Sequence, residues 1–281
     1  MVDKREIPAI VSTQWLAKSL DEPKLVILDI RSSDRYKDGH IPGAVNVPFQ
    51  SWAVVRKGLL MELPKADQLF KIIGSAGIKS DSPVVVVSKT DIPHDTADVT
   101  RVACTLIYAG VNNVAVLNGG HNKWLKERKP LSDKIVKPKP SACKGQLNKA
   151  IFTTKEHVEK QLGKSVIIDT RAPDEYFGIT QDLFTEKPGH IPGAVCLPAP
   201  WVWTEAGTYK STKEIREMAA GVVGPDKSRE IIVYCGVGGY SSTWCFLLRE
   251  LLGYNDVKIY DGAAQEWTAD PEAPVVKYRW H

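Results

Sequence analysis

"IIVYCGVGGYSS", residues 231–242, runs four strand-forming residues into a cysteine, then into glycines, then into a stretch with helical spacing. Ile231 to Tyr234 do not alternate with polar residues, which is how a strand buried on both faces reads. Trp244, Leu247, Leu248 and Leu251 fall at i, i+3, i+4 and i+7. That spacing predicts a helix continuing to Leu252, with Ser241 or Ser242 as its cap. In sheets of this kind chemistry sits where strands end and loops begin, and Cys235 stands at that point.

Gly236, Gly238 and Gly239 allow backbone conformations closed to other residues. The amides of Gly236, Val237, Gly238, Gly239, Tyr240 and Ser241 are therefore expected to turn inward as an anion-holding nest, backed by the positive end of the helix. One pKa unit corresponds to about 1.4 kcal/mol, and a hydrogen bond to a charged group contributes roughly 1.5–3 kcal/mol. Two or three aimed amides suffice to carry a cysteine from about 8.5 to below neutrality, so Cys235 is expected as a thiolate at pH 7.

Working outward, the chain repeats itself. "LVILDIRSSDRYKDGHIPGAVNVP" from Leu25 and "VIIDTRAPDEYFGITQDLFTEKPGHIPGAVCLP" from Val166 share Asp-x-Arg, a Tyr and Gly-His-Ile-Pro-Gly-Ala-Val, with ten extra residues in the second between Tyr and Gly. "VVVVS" (84–88) matches "IIVYC" (231–235), and "VAVLNGG…W" (114–124) matches "VKIYDGA…W" (257–267). Four blocks in register mark the duplication of a unit of about 130 residues, far longer than a solenoid repeat. Non-alternating runs at Leu25–Leu28, Val84–Val87 and Val114–Leu117 alternate with helical patterns such as Val99, Val102, Ala103, Leu106 and Ile107. Each unit is thus predicted as an α/β domain, a mostly parallel sheet flanked by helices. The division expected is residues 1–130 and 150–281. Between them, 131–149 reads either as an exposed connector or as an ordered strap over both domains.

Composition narrows the function. The net charge of +4, with both signs interspersed and no arginine-rich block, gives no nucleic-acid footprint. No apolar run approaches the roughly 18 residues of a membrane span, and no signal-peptide pattern opens the chain. A cytoplasmic protein is expected. The five cysteines show no close CxxC pair, so neither a zinc site nor a disulfide framework is expected. Cys104, Cys196 and Cys245 read as small buried hydrophobes, and Cys143 as an exposed thiol without function. Ser88 stands where the second copy has Cys235, and no glycine lies between Ser88 and Pro93. One unit is expected to be reactive and the other not.

The duplicated Asp-x-Arg…Tyr…Gly-His-Ile-Pro-Gly-Ala block, the strand-Cys-loop-helix and the closing "YDGAAQEW" resemble tandem-domain rhodaneses, the thiosulfate and mercaptopyruvate sulfurtransferases, from about Ile10 to Trp267. The resemblance implies two tandem rhodanese-like domains with the cysteine only in the second. It also implies a two-step transfer: Cys235 takes the outer sulfur of a donor, thiosulfate first among them, as a persulfide, and a thiol, cyanide or a protein acceptor removes it. No metal or organic cofactor is implied. A mercaptopyruvate-type donor, or a sulfur-relay or binding protein with weak thiosulfate activity, is the alternative. A Cys-x5-Arg phosphatase is excluded, because the loop has no arginine to clamp a phosphoryl group. The loop matches the mercaptopyruvate pattern only at its glycines, and Glu175 stands where the family carries an arginine.

Other residues admit two readings. Asp169 and Arg171 recur as Asp29 and Arg31 in the unreactive copy, which favours a structural ion pair, although Arg171 could line the pocket. His40 and His190 recur likewise and are not expected as bases. Trp201 and Trp203 are either core or a hydrophobic wall near the site. Tyr240 either offers its hydroxyl to substrate or packs.

Overall fold

A computed structural model describes residues 5–143 and 145–280. They divide into two compact units. The first comprises residues 5–54, 63–148 and 203–209, and the second 55–62, 149–202 and 210–280. Neither unit is one continuous stretch: the segment Val55–Glu62 belongs with the second and Trp203–Tyr209 with the first.

Each unit is built on a five-stranded sheet. In the first the spatial order is Val45–Asn46, Val26–Asp29, Val84–Val87, Val114–Leu117 and Ile10–Val11; in the second it is Ala194–Cys196, Val166–Asp169, Ile231–Tyr234, Val257–Tyr260 and Phe152–Thr153. All pairings are parallel, and the strand order is the same in both sheets. The non-alternating runs lie at the centre, as their composition predicts. Val84 to Val87 and Ile231 to Tyr234 are each fully buried, and every such side chain contributes about 1.5–3 kcal/mol.

Helices fill the crossovers. Pro93–Tyr108 buries the expected Val99, Val102, Ala103, Leu106 and Ile107. Gly239–Phe246 follows the cysteine, but the segment beyond it, Leu247–Leu251, is a π-turn closed by Leu252 N–H to the Leu247 carbonyl at 2.9 Å. The wider turn adds a residue to the register. Leu252, 5% exposed, therefore takes the buried place that the 3.6-residue period assigns to Leu251.

The repeated motif turns out to be a self-contained lock. In the second unit Arg171 is bound to Asp169 through Nη2 (2.6 Å) and Nε (3.0 Å), and its Nη2 also donates to the Gly189 carbonyl at 2.7 Å. Tyr176 stacks on His190 with centroids 3.8 Å apart, and its hydroxyl donates to the Ala194 carbonyl at 2.7 Å. Arg31, Asp29, Gly39, Tyr36, His40 and Ala44 repeat these contacts in the first unit. The motif is duplicated because each sheet needs the lock, whether or not the unit is reactive. Tyr176→Phe leaves the buried Ala194 carbonyl without that donor, at a cost of about 1–2 kcal/mol. A thermal melt of the variant is expected to shift down by about 2–8 °C.

Residues 131–143 and 145–148 belong to the first unit, and the bonds of the former tie them down as a strap. His40 and Ser132 exchange two main-chain bonds of 2.9 Å, Val136 N–H reaches the Tyr36 hydroxyl at 3.2 Å, and Ser141 N–H reaches the Gly74 carbonyl at 2.9 Å. Cys143 is half-buried on this strap rather than exposed, and burial raises its pKa. Among the described residues no helix is long and apolar enough to cross a membrane.

Candidate active site at Cys235

The central strand of the second sheet delivers Cys235 at its carboxyl end, where the cysteine is 3% exposed. Two main-chain clasps fix its position. Ala264 N–H donates to the Cys235 carbonyl at 2.9 Å and Gln265 N–H to the Gly236 carbonyl at 3.0 Å. Both donors belong to the "YDGAAQEW" block, which explains its recurrence: in the first unit His121 N–H holds the Ser88 carbonyl in the same way, at 2.8 Å.

The loop then turns back over the sulfur. Gly238 adopts φ +104°, a left-handed conformation that glycine reaches without steric penalty, and its N–H donates to Cys235 Sγ at 3.0 Å. Ser241 Oγ lies 3.8 Å from the same sulfur. Because Gly238 makes the turn, the helix begins at Gly239, earlier than a serine cap would allow. Ser241 and Ser242 are fully buried inside it, and Ser242 Oγ bonds back to the Gly238 carbonyl at 2.8 Å. Gly238→Ala forces a side chain into that conformation at about 1–3 kcal/mol and swings the amide away from the sulfur. Sulfur loading of Cys235, followed by mass spectrometry, is expected to slow at least about tenfold.

The first unit shows what happens without the cysteine. Its helix opens on Pro93, and the first turn is occupied by the chain's own carboxylate: Asp95 Oδ2 accepts the Ile92 N–H at 3.1 Å, and Asp95 pairs with Lys89 at 3.0 Å. A negative group that the positive helix end would attract is thus already built in.

The remaining expected site residues fall in different places. Arg171, 2% exposed, has its charge held by Asp169; burial works against that charge, but the carboxylate outweighs it and keeps the pKa raised. Among the described residues its Nη1 has no hydrogen-bond partner. Glu175 belongs to the short helix Pro173–Phe177, where its Oε2 accepts the Ala172 N–H at 3.1 Å; burial, then the charge of Asp182, raises its pKa. Tyr240 is part-buried, and burial followed by the charges of Cys235 and Glu175 pushes its pKa up to about 12, so it is a neutral phenol at physiological pH. Trp201 is half-exposed in the turn Ala199–Val202. Trp203 is a core residue of the first unit, edge-on to Tyr209 at 6.3 Å. His40 and His190 are buried in the scaffold locks and hold no reactive position.

Residue-by-residue reading missed three features. Asp182, in the ten-residue insertion, places Oδ2 only 2.2 Å from where a Cβ on Gly236 would stand. Gln265 clasps Leu60 of the segment Val55–Glu62 through both main-chain groups, at 3.0 and 2.9 Å. Met61 Cε then comes within 3.5 Å of a Cβ placed on Gly239. The insertion was visible as a length difference; nothing in the sequence links residue 61 to residue 239.

The chain thus holds two copies of one parallel sheet, and in the second copy a cysteine is clasped at the end of the central strand under a glycine loop. Comparison with known families agrees. The Rhodanese-like domain matches residues 12–127 and 154–270, and the chain belongs to that family as a tandem-domain member. The thiosulfate sulfurtransferase of Rattus norvegicus is 32% identical over 285 residues, covering 95% of each chain. The sulfur carrier protein TtuD of Thermus thermophilus is 30% identical over 283 residues, covering 95% of this chain and 96% of its own. The anaerobic ergothioneine biosynthesis enzyme of Chlorobium limicola superposes with a TM-score of 0.84 at 22% identity, over 96% of this chain and 70% of that one, a likeness of fold.

Proposed function

We propose that the chain is a sulfurtransferase that carries sulfane sulfur as a persulfide on Cys235, with thiosulfate as a donor and a thiol, cyanide or a protein cysteine as acceptor. The observation that supports this most directly is the Gly238 N–H aimed at Sγ from 3.0 Å, on a loop whose carbonyls are pinned from behind. In the first step the thiolate attacks the outer sulfur of thiosulfate; a new S–S bond forms, the donor S–S bond breaks, and sulfite leaves with the electron pair. In the second step an acceptor attacks the outer sulfur and restores the thiolate, which is ping-pong covalent catalysis. The loop amide stabilises negative sulfur in both states without reorganising. The names of the rat and Thermus relatives support the class, and the uncharged loop leaves the thiosulfate assignment as the finer part of the proposal.

The test is mass spectrometry of the intact protein. Incubation with thiosulfate is expected to add one sulfur, about 32 Da, and cyanide is expected to remove it as thiocyanate, the second half of a double-displacement cycle. A protein that never gains the increment from thiosulfate, mercaptopyruvate or the neutral persulfide of 2-mercaptoethanol overturns the proposal.

A further inference from the structure

The insertion that distinguishes the second copy of the motif from the first is a built element. Thr185 donates to the Asp182 carbonyl through both N–H and Oγ1 at 3.0 Å, and Phe184 N–H donates to Asp182 Oδ1 at 3.0 Å. Glu186 N–H is tied to Thr268 Oγ1 at 3.0 Å, and Lys187 Nζ to the carbonyls of Asp270 (2.7 Å) and Ala273 (2.6 Å). Held at both ends, the turn directs Asp182 Oδ2 at Gly236, the residue following the reactive cysteine; any side chain at 236 would collide with it. Glu175, at the position where the first unit has Arg35, is close enough to Asp182 and to Tyr240 of the cysteine loop for the charges to act on one another. The nearby guanidinium of Arg171 is spent on Asp169. The loop after Cys235 therefore has two carboxylates beside it, and the arginine nearby, Arg171, already carries an ion pair with Asp169.

We propose that Asp182 and Glu175 act as a charge filter on the sulfur donor: the site selects persulfides whose non-reacting body is neutral or cationic and discriminates against dianionic thiosulfate. This rests on the persulfide reading of Cys235 and names its donor class. The favoured loading step is Cys235–S⁻ + R–S–SH giving Cys235–S–SH + R–S⁻, in which one S–S bond replaces another and the leaving thiolate takes the electron pair. The pKa of Glu175 is raised first by burial and then by the charge of Asp182, so the two carboxylates act on one another. Like charges a few ångströms apart, only partly screened by solvent, cost an approaching dianion about tenfold or more for each carboxylate.

Two matched pairs of reagents test it on the whole chain. Cysteamine persulfide and 3-mercaptopropionate persulfide present the same reacting sulfurs on an ammonium or a carboxylate body. The cationic donor is expected to load Cys235 at least about tenfold faster at low ionic strength, and the ratio is expected to fall toward unity in molar salt. Iodoacetamide and iodoacetate make the same comparison by alkylation, with 2-mercaptoethanol as reference, and require no sulfur transfer. Asp182→Asn keeps the Oδ1 acceptor for Phe184 N–H, and with Glu175→Gln it is expected to shrink both ratios about threefold or more and to lower KM for thiosulfate more than it changes kcat. Equal rates within each pair, or ratios unmoved by both substitutions, overturn the filter. A normal alkylation preference without any persulfide formation would instead overturn the sulfurtransferase reading and leave the filter standing.

Discussion

Cys235→Ser is expected to abolish sulfur transfer while leaving the fold intact. A serine oxygen forms no stable bond to sulfane sulfur, so the increment of about 32 Da is expected to disappear and turnover to fall by at least about 10³-fold, as when the nucleophile of a covalent mechanism is removed. The melting temperature is expected to stay within about 2 °C, because serine adds no volume and its Oγ can accept the Gly238 N–H in place of Sγ. The clasps at this site act on carbonyls: Ala264 and Gln265 hold residues 235 and 236 through the main chain. The first unit already carries Ser88 in the matching place, 5% exposed, on an equivalent sheet. Other cysteines offer no substitute nucleophile. Burial, followed by the charge of Asp169, pushes Cys196 up to about 12, and Cys143 is raised by burial. Turnover above a few per cent in the variant, or sulfur still acquired, would place the chemistry elsewhere.

Arg171→Met is expected to give the largest loss of stability. Asp169 is fully buried, and its charge is balanced by Nη2 at 2.6 Å and Nε at 3.0 Å of that one arginine. Removing the arginine strands a buried carboxylate at a cost of about 3–5 kcal/mol. It also frees the Gly189 carbonyl, on which the entry to Gly-His-Ile-Pro depends. For a unit of this size the melting point should fall by about 6–20 °C. The double change Asp169→Asn with Arg171→Met removes both charges, and calorimetry is expected to show it recovering part of the loss; a single variant that melts within 2 °C of the parent would show that the pair does not hold the fold.

Much of this was legible in the sequence because it is encoded locally. Runs such as Val84–Val87 can be stable only between two covered faces, and the helical stripes between them leave a parallel sheet as the economical solution. The repeat was equally legible: the chain writes the same scaffold twice, with Ser88 in one copy at the place of Cys235 in the other. The helix boundaries were less so. Gly238 in a left-handed conformation started the helix before any serine could cap it, and the π-turn at Leu247–Leu251 moved the buried face by one residue. Both depend on how the helix packs, which local periodicity does not carry.

The sequence by itself determined the duplicated α/β architecture, the reactive cysteine and its glycine loop, since strand burial, loop permissiveness and nucleophile identity are properties of adjacent residues. Only the tertiary structure decided that Asp182 lies against Gly236, that Gln265 grips Leu60, and that Arg171 binds Asp169 and the Gly189 carbonyl. Those contacts join positions up to 205 residues apart, and their sign and distance are set by how the sheet and its loops close in space, which no local pattern records.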